Sequence, residues 1–283
     1  MRETINFIGC GRVGRTLAKL WHDSGHFQIQ DILTTSVPST MDAIAFIGAG
    51  TVADRVAAMR HADLWMIATP DAHITASAQQ LAARFPAAGA GESSAPLAFH
   101  ASGALPATAL APLGAQGWQT ASAHCILSFA QPHMAVQQFD STACALEGNA
   151  EACAVLRAAF TTIGAQCFEI ASADKLLYHA AAVFATNFLP VLQSVAEDLW
   201  RKSGVPPALI QNLRAQLLSH AVANITALGP QGALTGPAAR GDLSTIARQG
   251  AAVGAWSADA GAAYAALSAL ALQLAKAAPA KHA

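Results

Sequence analysis

The stretch Thr4–Leu20, TINFIGCGRVGRTLAKL, decides how the rest of the chain is read. An apolar run of Ile5, Phe7 and Ile8 passes directly into Gly9-Cys10-Gly11-Arg12-Val13-Gly14, and then into a helical pattern with Val13, Leu17 and Leu20 on one face. This is a strand, a tight glycine turn and a helix start. The glycine spacing is that of a dinucleotide-binding turn, in which Gly9 reverses the chain, Gly11 lets backbone approach a pyrophosphate, and Gly14 lets the helix pack on the strand. The helix start adds unpaired N–H groups and the positive end of its dipole. The same letters can form a turn that binds nothing, but their place between strand and helix favours the binding reading. Gly9, Cys10, Gly11, Arg12, Val13 and Gly14 are therefore the expected cofactor-binding residues.

Outward from the turn, Gly25 ends the first helix and Phe27–Leu33 reads as a second apolar strand. An NAD site closes this strand with an acidic residue about 20 residues beyond the glycines, for the ribose 2′-OH. Here Thr34, Thr35 and Ser36 hold that place, and Asp31 falls within the strand, three residues early. With no carboxylate to repel a 2′-phosphate, and with hydroxyls and Arg12 in reach, NADP is favoured over NAD. Helical pieces are expected at Asp42–Ala45 and Val52–Met59, followed by a buried strand, Asp63–Ala68, that ends in Thr69-Pro70-Asp71. At the carboxyl edge of an open sheet, Thr69 and Pro70 can lie along a nicotinamide ribose or simply cap the next helix.

A helix from Ala72 to Phe85 and a low-complexity loop from Pro86 to Pro96 lead to strands at Leu97–His100 and Trp118–Ala123. Their ends bring His100, Ser102, His124 and Ser128 to one edge. Ala143–Glu147 and Gln166–Ile170 read as final strands around a helix, Asn149–Ile163, capped by Asn149 and closed by Gly164. The alternation makes residues 1–170 an α/β domain with a doubly wound, mostly parallel sheet. Beyond Ala171 the strand signal disappears, and residues 171–283 read as an all-helical domain. Ser172 is expected to cap a long helix running to Lys202, kinked at Pro190. Pro206-Pro207 opens a helix ending near Gly229, a loop spans Pro230–Gly241, and Asp242 and Ser257 cap the last two helices before a frayed tail at Ala277–Ala283.

Charged residues are 12% of the 283, about half the roughly 25% of an ordinary soluble domain, and apolar residues reach 53%. Much of the surface is then buried, by size or by self-association. A net charge of −1 gives no electrostatic case for nucleic acid or an anionic membrane. Cys10, Cys125, Cys144, Cys153 and Cys167 include no C-x-x-C pair and read as reduced thiols of a cytoplasmic protein. No signal-peptide pattern opens the chain. The apolar stretches Ala180–Leu192 and Ala262–Ala275 are interrupted by polar residues or short of a span, and are expected as buried helices.

Lys175 and His179, at i and i+4, share a helix face, with Asn187 further along it. A partly buried lysine can protonate a carbonyl oxygen or imine nitrogen as hydride arrives. The plainer alternative is a surface pair of Lys175 with Asp174. In Thr235-Gly-Pro-Ala-Ala-Arg240-Gly-Asp242, Arg240 can clamp a carboxylate, or the segment is turn chemistry ahead of a cap. Ser102, Gly103, His124 and Asn187 complete the expected substrate contacts. The ten histidines show no metal-ligand spacing, so no metal is expected.

In order, FIGCGRVG, FHASGALP, HCILSF, DKLLYHAAAVFATN and LTGPAARGD resemble bacterial Rossmann-like candidate oxidoreductases whose C-terminal domain is catalogued as a domain of unknown function. More distantly the chain is similar to 6-phosphogluconate and β-hydroxyacid dehydrogenases, ketopantoate reductase and pyrroline-5-carboxylate reductase. In the hydroxyacid relatives a catalytic lysine precedes an asparagine by four residues on one helix. By this resemblance Lys175 takes the lysine's place, and His179 stands where the asparagine would be. The resemblance implies NAD(P), a homodimer through the helical domain, and no established substrate. The reading taken from the chain is hydride transfer to or from a small, anionic oxo acid, hydroxy acid or imine in a cleft between domains, with Lys175 or His179 as the proton donor. The alternative from a different class is a non-catalytic NADP(H) sensor.

Overall fold

Residues 5–8 of the strand Glu3–Ile8 (β1) are all buried, because both faces of the strand are covered: Ile5 and Phe7 join one apolar cluster while Ile8 joins another on the opposite face. A computed structural model describes residues 2–86 and 95–277, so most of the loop expected at 86–96 and of the tail expected at 277–283 lies outside the described residues. Among the described residues β1 belongs to an eight-stranded sheet of order β3-β2-β1-β4-β5-β6-β7-β8. The other strands are β2 (Phe27–Leu33), β3 (Thr51–Ala53), β4 (Leu64–Ile67), β5 (Leu97–His100), β6 (Gln119–Cys125), β7 (Ala143–Gly148) and β8 (Gln166–Glu169). Every neighbouring pair is parallel except β6 with β7. The fold class read from the sequence, a mostly parallel doubly wound sheet followed by helices, is the one observed.

Helices cover both faces. On one, Trp21 of α1 (Arg12–Ser24) packs edge-on to Phe27, Phe99 and Phe160, and its indole N–H donates to the Ala159 carbonyl of α6 (Ala150–Thr161) at 2.9 Å. On the other, α3 (Asp71–Arg84) lays Ile74, Ala78 and Leu81 on Trp65 and Ile67. Gly25 ends α1 with φ 69°, a left-handed conformation that glycine adopts without strain.

Several local expectations are corrected. Val52–Met59 is not a helix but strand β3 and a short 3-10 turn, Val56–Ala58, because pairing with β2 outweighs the helical preference of so short a run. The preceding helix α2 is longer than expected, Val37–Ile47. Asn149 does not cap α6; its Oδ1 accepts from the Thr120 N–H at 2.8 Å and ties the helix start to β6 instead. Ser172 does not cap either, since its hydroxyl donates to Glu147 Oε1 at 2.6 Å. The long helix is broken into α7 (Lys175–Ala182), a π-helical turn at Val183–Asn187 and α8 (Phe188–Lys202). Pro190 lacks an N–H and its ring crowds the carbonyl four residues back, Thr186, so the disturbance falls in the preceding turn.

Contacts divide the chain into two compact units, Met1–Thr186 and Asn187–Ala283, whereas the sequence reading placed the boundary after residue 170. The shift arises because α7 is anchored in the first unit by the buried Lys175. The second unit consists of α8, α9 (Pro207–Ala233), α10 (Gly236–Ala239), α11 (Leu243–Trp256) and α12 (Ala258–Lys276). Gly229, at φ 69° and ψ 170°, breaks α9 just ahead of Pro230, and the loop expected at Pro230–Gly241 is partly helical. Asp242 and Ser257 cap α11 and α12 as expected. The two apolar stretches are not buried: Ser172–Lys202 and Ala258–Lys276 are long and apolar enough to cross a membrane, and their most apolar windows are 0% buried. Among the described residues of the second unit only Ile210 is buried, while Leu189, Val191, Leu217, Ile225, Leu228 and Leu270 stand exposed.

Candidate functional site

From β1 the chain runs outward through β2 and β3, then returns to start β4 on the other side of β1, so the carboxyl ends of β1 and β4 flank the point where strand order reverses. Ligands of open α/β sheets bind in that crevice. Gly9 follows β1 there with φ 81°, and a Cβ on it would lie 2.7 Å from both the Ala68 carbonyl carbon and the Thr69 nitrogen, where β4 ends. A Cβ on Gly14 would meet the Gly9 oxygen at 3.0 Å and the Ala68 side chain at 3.3 Å, so this glycine sets the approach of α1 to the sheet. Gly11 differs: nothing lies within 4 Å of its Cβ position. It is also the N-cap of α1, with no side chain bonded to the free N–H groups and no acidic residue in the first turn. Gly9 and Gly14 are thus required by the protein's own packing, and Gly11 leaves open space over a helix N-terminus.

Around this turn, Cys10 is buried against Gly14 and its thiol is pushed up to about 12 by desolvation, so it contributes backbone and packing rather than thiolate chemistry. Arg12 and Thr35 are exposed. The Thr34 hydroxyl donates to the Ser36 carbonyl at 3.0 Å, and Ser36 caps α2 by accepting from Ser39 N. Asp31 is buried and held by Arg60, whose N–H reaches Oδ2 at 2.7 Å and whose Nε reaches Oδ1 at 3.1 Å. Its carboxylate is therefore committed away from the end of β2. At the end of β4, Thr69 Oγ1 is buried with no hydrogen-bond partner, and Pro70 precedes α3. An open Gly11, an uncapped helix start and an orphaned Thr69 hydroxyl fit a dinucleotide's phosphates and ribose.

A second cluster forms at the ends of β5 and β6 and on α7. Lys175 is fully buried; its ammonium donates to Ser122 Oγ at 2.6 Å and to the Ser102 carbonyl at 3.3 Å. Desolvation pulls its pKa down, opposed by the carboxylates of Glu147 and Asp71. The surface pair with Asp174 that the sequence left open is not formed. Ser102 Oγ donates to Asp71 at 2.8 Å and accepts from the N–H groups of Ala104 and Leu105, which fixes the loop after β5. His100 accepts the Ser102 N–H on Nδ1 and donates from Nε2 to the Pro106 carbonyl at 3.1 Å; burial pulls its pKa down, in keeping with a neutral ring. Glu147 accepts from Ala107 N at 2.7 Å and from the Ser172 hydroxyl, joining that loop to the turn before α7.

His124 Nδ1 lies 2.9 Å from the Tyr178 hydroxyl, and the His124 and His179 rings stand 5.5 Å apart. Both crowd over Gly103, where a Cβ would come within 2.5 Å of His179 Cδ2 and 2.8 Å of His124 Nε2. The expected residues Ser102, Gly103, His124, Lys175 and His179 are thus brought together within the first unit. Asn187 and Arg240 fall in the second unit. Ser122, Tyr178, Asp71 and Glu147 were missed. A serine at a buried strand position among alanines in QTASAHC was the available signal for Ser122, and the i+3 spacing from Lys175 was the signal for Tyr178.

Burial, then the charges of His179 and Lys175, lower the His124 pKa from 6.5 to about 4, with Asp71 opposing. Between those values the unfolded chain binds more protons than the native one, so stability is complete above pH ~6.5 and falls as pH drops toward ~4, by about 3 kcal/mol. Denaturant midpoints measured across this window are expected to fall with pH, and less steeply in His124→Gln. An equal slope in both proteins would contradict the assignment.

Residues 1–125 match the family of Rossmann-like domains, and residues 142–271 match a domain of unknown function, DUF2520. No curated protein matches the sequence. Similar solved structures include a candidate NADP oxidoreductase from Bacteroides fragilis, at 21% identity and TM-score 0.73 over 96% of this chain and 98% of that one. Protein TM1727 from Thermotoga maritima is 23% identical, with TM-score 0.72 over 96% and 98%. A reductive aminase from Aspergillus terreus in complex with NADPH and ethyl-5-oxohexanoate is 17% identical, with TM-score 0.65 over 96% and 93%. At these identities the likeness is one of fold. The chain is a Rossmann-like domain joined to the domain of unknown function DUF2520.

Proposed function

We propose that the protein is an NAD(P)-dependent oxidoreductase acting on a small oxo acid, hydroxy acid or imine, with NADP preferred. The observation that carries this reading is the contrast among the glycines: Gly9 and Gly14 are packed against β4, while Gly11 opens onto empty space above the uncapped start of α1. A dinucleotide uses such a turn for its pyrophosphate. The fold's likeness to a structure holding NADPH with a keto ester supports the same reading. Backbone of Gly9 through Gly14 would hold the pyrophosphate, Arg12 with Thr34, Thr35 and Ser36 the 2′-phosphate side, and Thr69 and Pro70 the nicotinamide ribose.

When bound, the nicotinamide supplies or takes a hydride at a carbonyl or imine carbon. The chain's own part is to orient the substrate and move one proton. Lys175 and His179 are our candidates for that machinery, with His124, Ser102 and Gly103 shaping the wall; Asn187 and Arg240 are proposed to contact the substrate from the helical unit. Oxidation of NADPH in the presence of oxo acids and cyclic imines tests the reading. Turnover that Lys175→Ala and His179→Ala both lose supports an enzyme, and NADPH binding without turnover of any of these compounds contradicts one and leaves a sensor of NADP(H). We also propose that a second copy of the chain covers the exposed apolar helices, because a surface with Leu189, Val191, Leu228 and Leu270 in water favours association. Sedimentation at the monomer mass would contradict this.

A further inference from the structure

The buried ammonium of Lys175 is spent on the protein itself. Both of its partners, Ser122 Oγ at 2.6 Å and the Ser102 carbonyl at 3.3 Å, are interior atoms, and the residue exposes 0% of its surface. A proton donor must touch the atom it protonates, and Lys175 meets no open space in this arrangement. One turn further along α7, Tyr178 is only half-buried, and its hydroxyl lies 2.9 Å from His124 Nδ1. Its ring is held edge-on between His124, at 5.5 Å, and Phe168, at 6.1 Å. The other side of the His124 ring, Nε2, lies over Gly103 beside His179, which is itself half-buried. A hydroxyl and two imidazoles therefore stand side by side here, each only partly buried.

We propose that Tyr178 is the group that gives the substrate its proton, resupplied through His124, and that Lys175 is a positioning residue behind them. The proposal rests on the oxidoreductase reading above. In the reducing direction the carbonyl or imine carbon gains two electrons as a hydride from the reduced nicotinamide, which becomes oxidised. The oxygen or nitrogen takes the proton of the Tyr178 hydroxyl; the phenolate takes the Nδ1 proton of His124; and Nε2 of His124 takes a proton from water. The sum is one carbonyl or imine, one reduced nicotinamide and one proton, giving an alcohol or amine and the oxidised nicotinamide. Desolvation raises the Tyr178 pKa, so the phenol stays protonated until a stronger base forms beside it. Burial, and then the charges of His179 and Lys175, disfavour a second proton on His124, which keeps the ring neutral and able to pass one proton on while taking another.

Tyr178→Phe retains both ring contacts and loses only the hydroxyl. With NADPH and a set of oxo acids and cyclic imines, it is expected to bind NADPH as the wild type does and to turn over about 100-fold or more slowly. Histidine nitrogen shifts, read by NMR with no substrate present, are expected to put the wild-type His124 proton on Nδ1 and to move in Tyr178→Phe. A Tyr178→Phe protein that binds NADPH and turns over at the wild-type rate overturns the proposal, as does a wild-type His124 whose neutral ring carries its proton on Nε2. If the Tyr178→Phe protein fails to fold, the wild-type nitrogen shifts still decide. Wild-type protein that binds no NADPH overturns the oxidoreductase reading itself, a failure visible separately from that of the tyrosine.

Discussion

Gly11→Val is expected to keep the fold and lose the nucleotide. Gly11 has an ordinary φ of −72° and nothing within 4 Å of its Cβ position, so a valine enters free space. The cost to stability is that of a poorer N-cap, about 1 kcal/mol. Its two methyl groups then occupy the space where backbone must approach a pyrophosphate, and NADPH affinity is expected to fall about 100-fold or more, equivalent to roughly 3 kcal/mol. Gly9→Ala serves as the opposite control. There the new carbon sits 2.7 Å from β4 backbone, at φ 81°, and neither neighbour is a flexible side chain. Its unfolding free energy should drop by about 3 kcal/mol or more. Thermal melts and NADPH titrations of both variants check the pair. A Gly11→Val protein with wild-type affinity would show that the turn is packing alone.

Lys175 gives the second large effect, and the two substitutions there separate structure from chemistry. Lys175→Ala empties a fully buried site and leaves Ser122 Oγ without its donor, while the Ser102 carbonyl keeps the Ser122 hydroxyl, at a cost of about 3 kcal/mol. Lys175→Met refills most of that volume with no charge to desolvate, and stability within about 1 kcal/mol of wild type is expected. Activity should fall in both, because the ammonium no longer fixes the loop after β5 against β6 and no longer repels a proton from His124. Removing that charge raises the His124 pKa, so the acid limb of the pH–rate profile should move to higher pH in Lys175→Met. A methionine variant as unstable as the alanine one would contradict the packing argument, and an unmoved acid limb would contradict the electrostatic one.

The glycine turn was legible because backbone requirements are written directly in residue type: a positive φ at Gly9 and close packing at Gly14 leave few alternatives to glycine. Strands at β1, β2, β4 and β5 were legible for a related reason, being apolar runs bounded by turn residues. Val52–Met59 was not, since three strand residues gain their conformation from β2 and not from their own pattern. The serine beneath Lys175 was hidden by distance, as Ser122 and Lys175 are 53 residues apart and meet only once β6 and α7 are in place. Asn149 and Ser172 have the right types for helix caps, yet each found a tertiary partner that uses the same oxygen. Apolarity alone also misled at α8 and α12: a sequence shows that a face needs cover, not whether the same copy of the chain provides it.

The central claim is that a pyridine dinucleotide lies over the turn between β1 and α1. Titration of the wild-type protein with NADPH, followed by its fluorescence, addresses this before any substrate is known. The account predicts saturable binding in the micromolar range, weaker for NADH. Failure of both nucleotides to bind at concentrations up to about 1 mM, where even an affinity of about −4 kcal/mol would register, would contradict it.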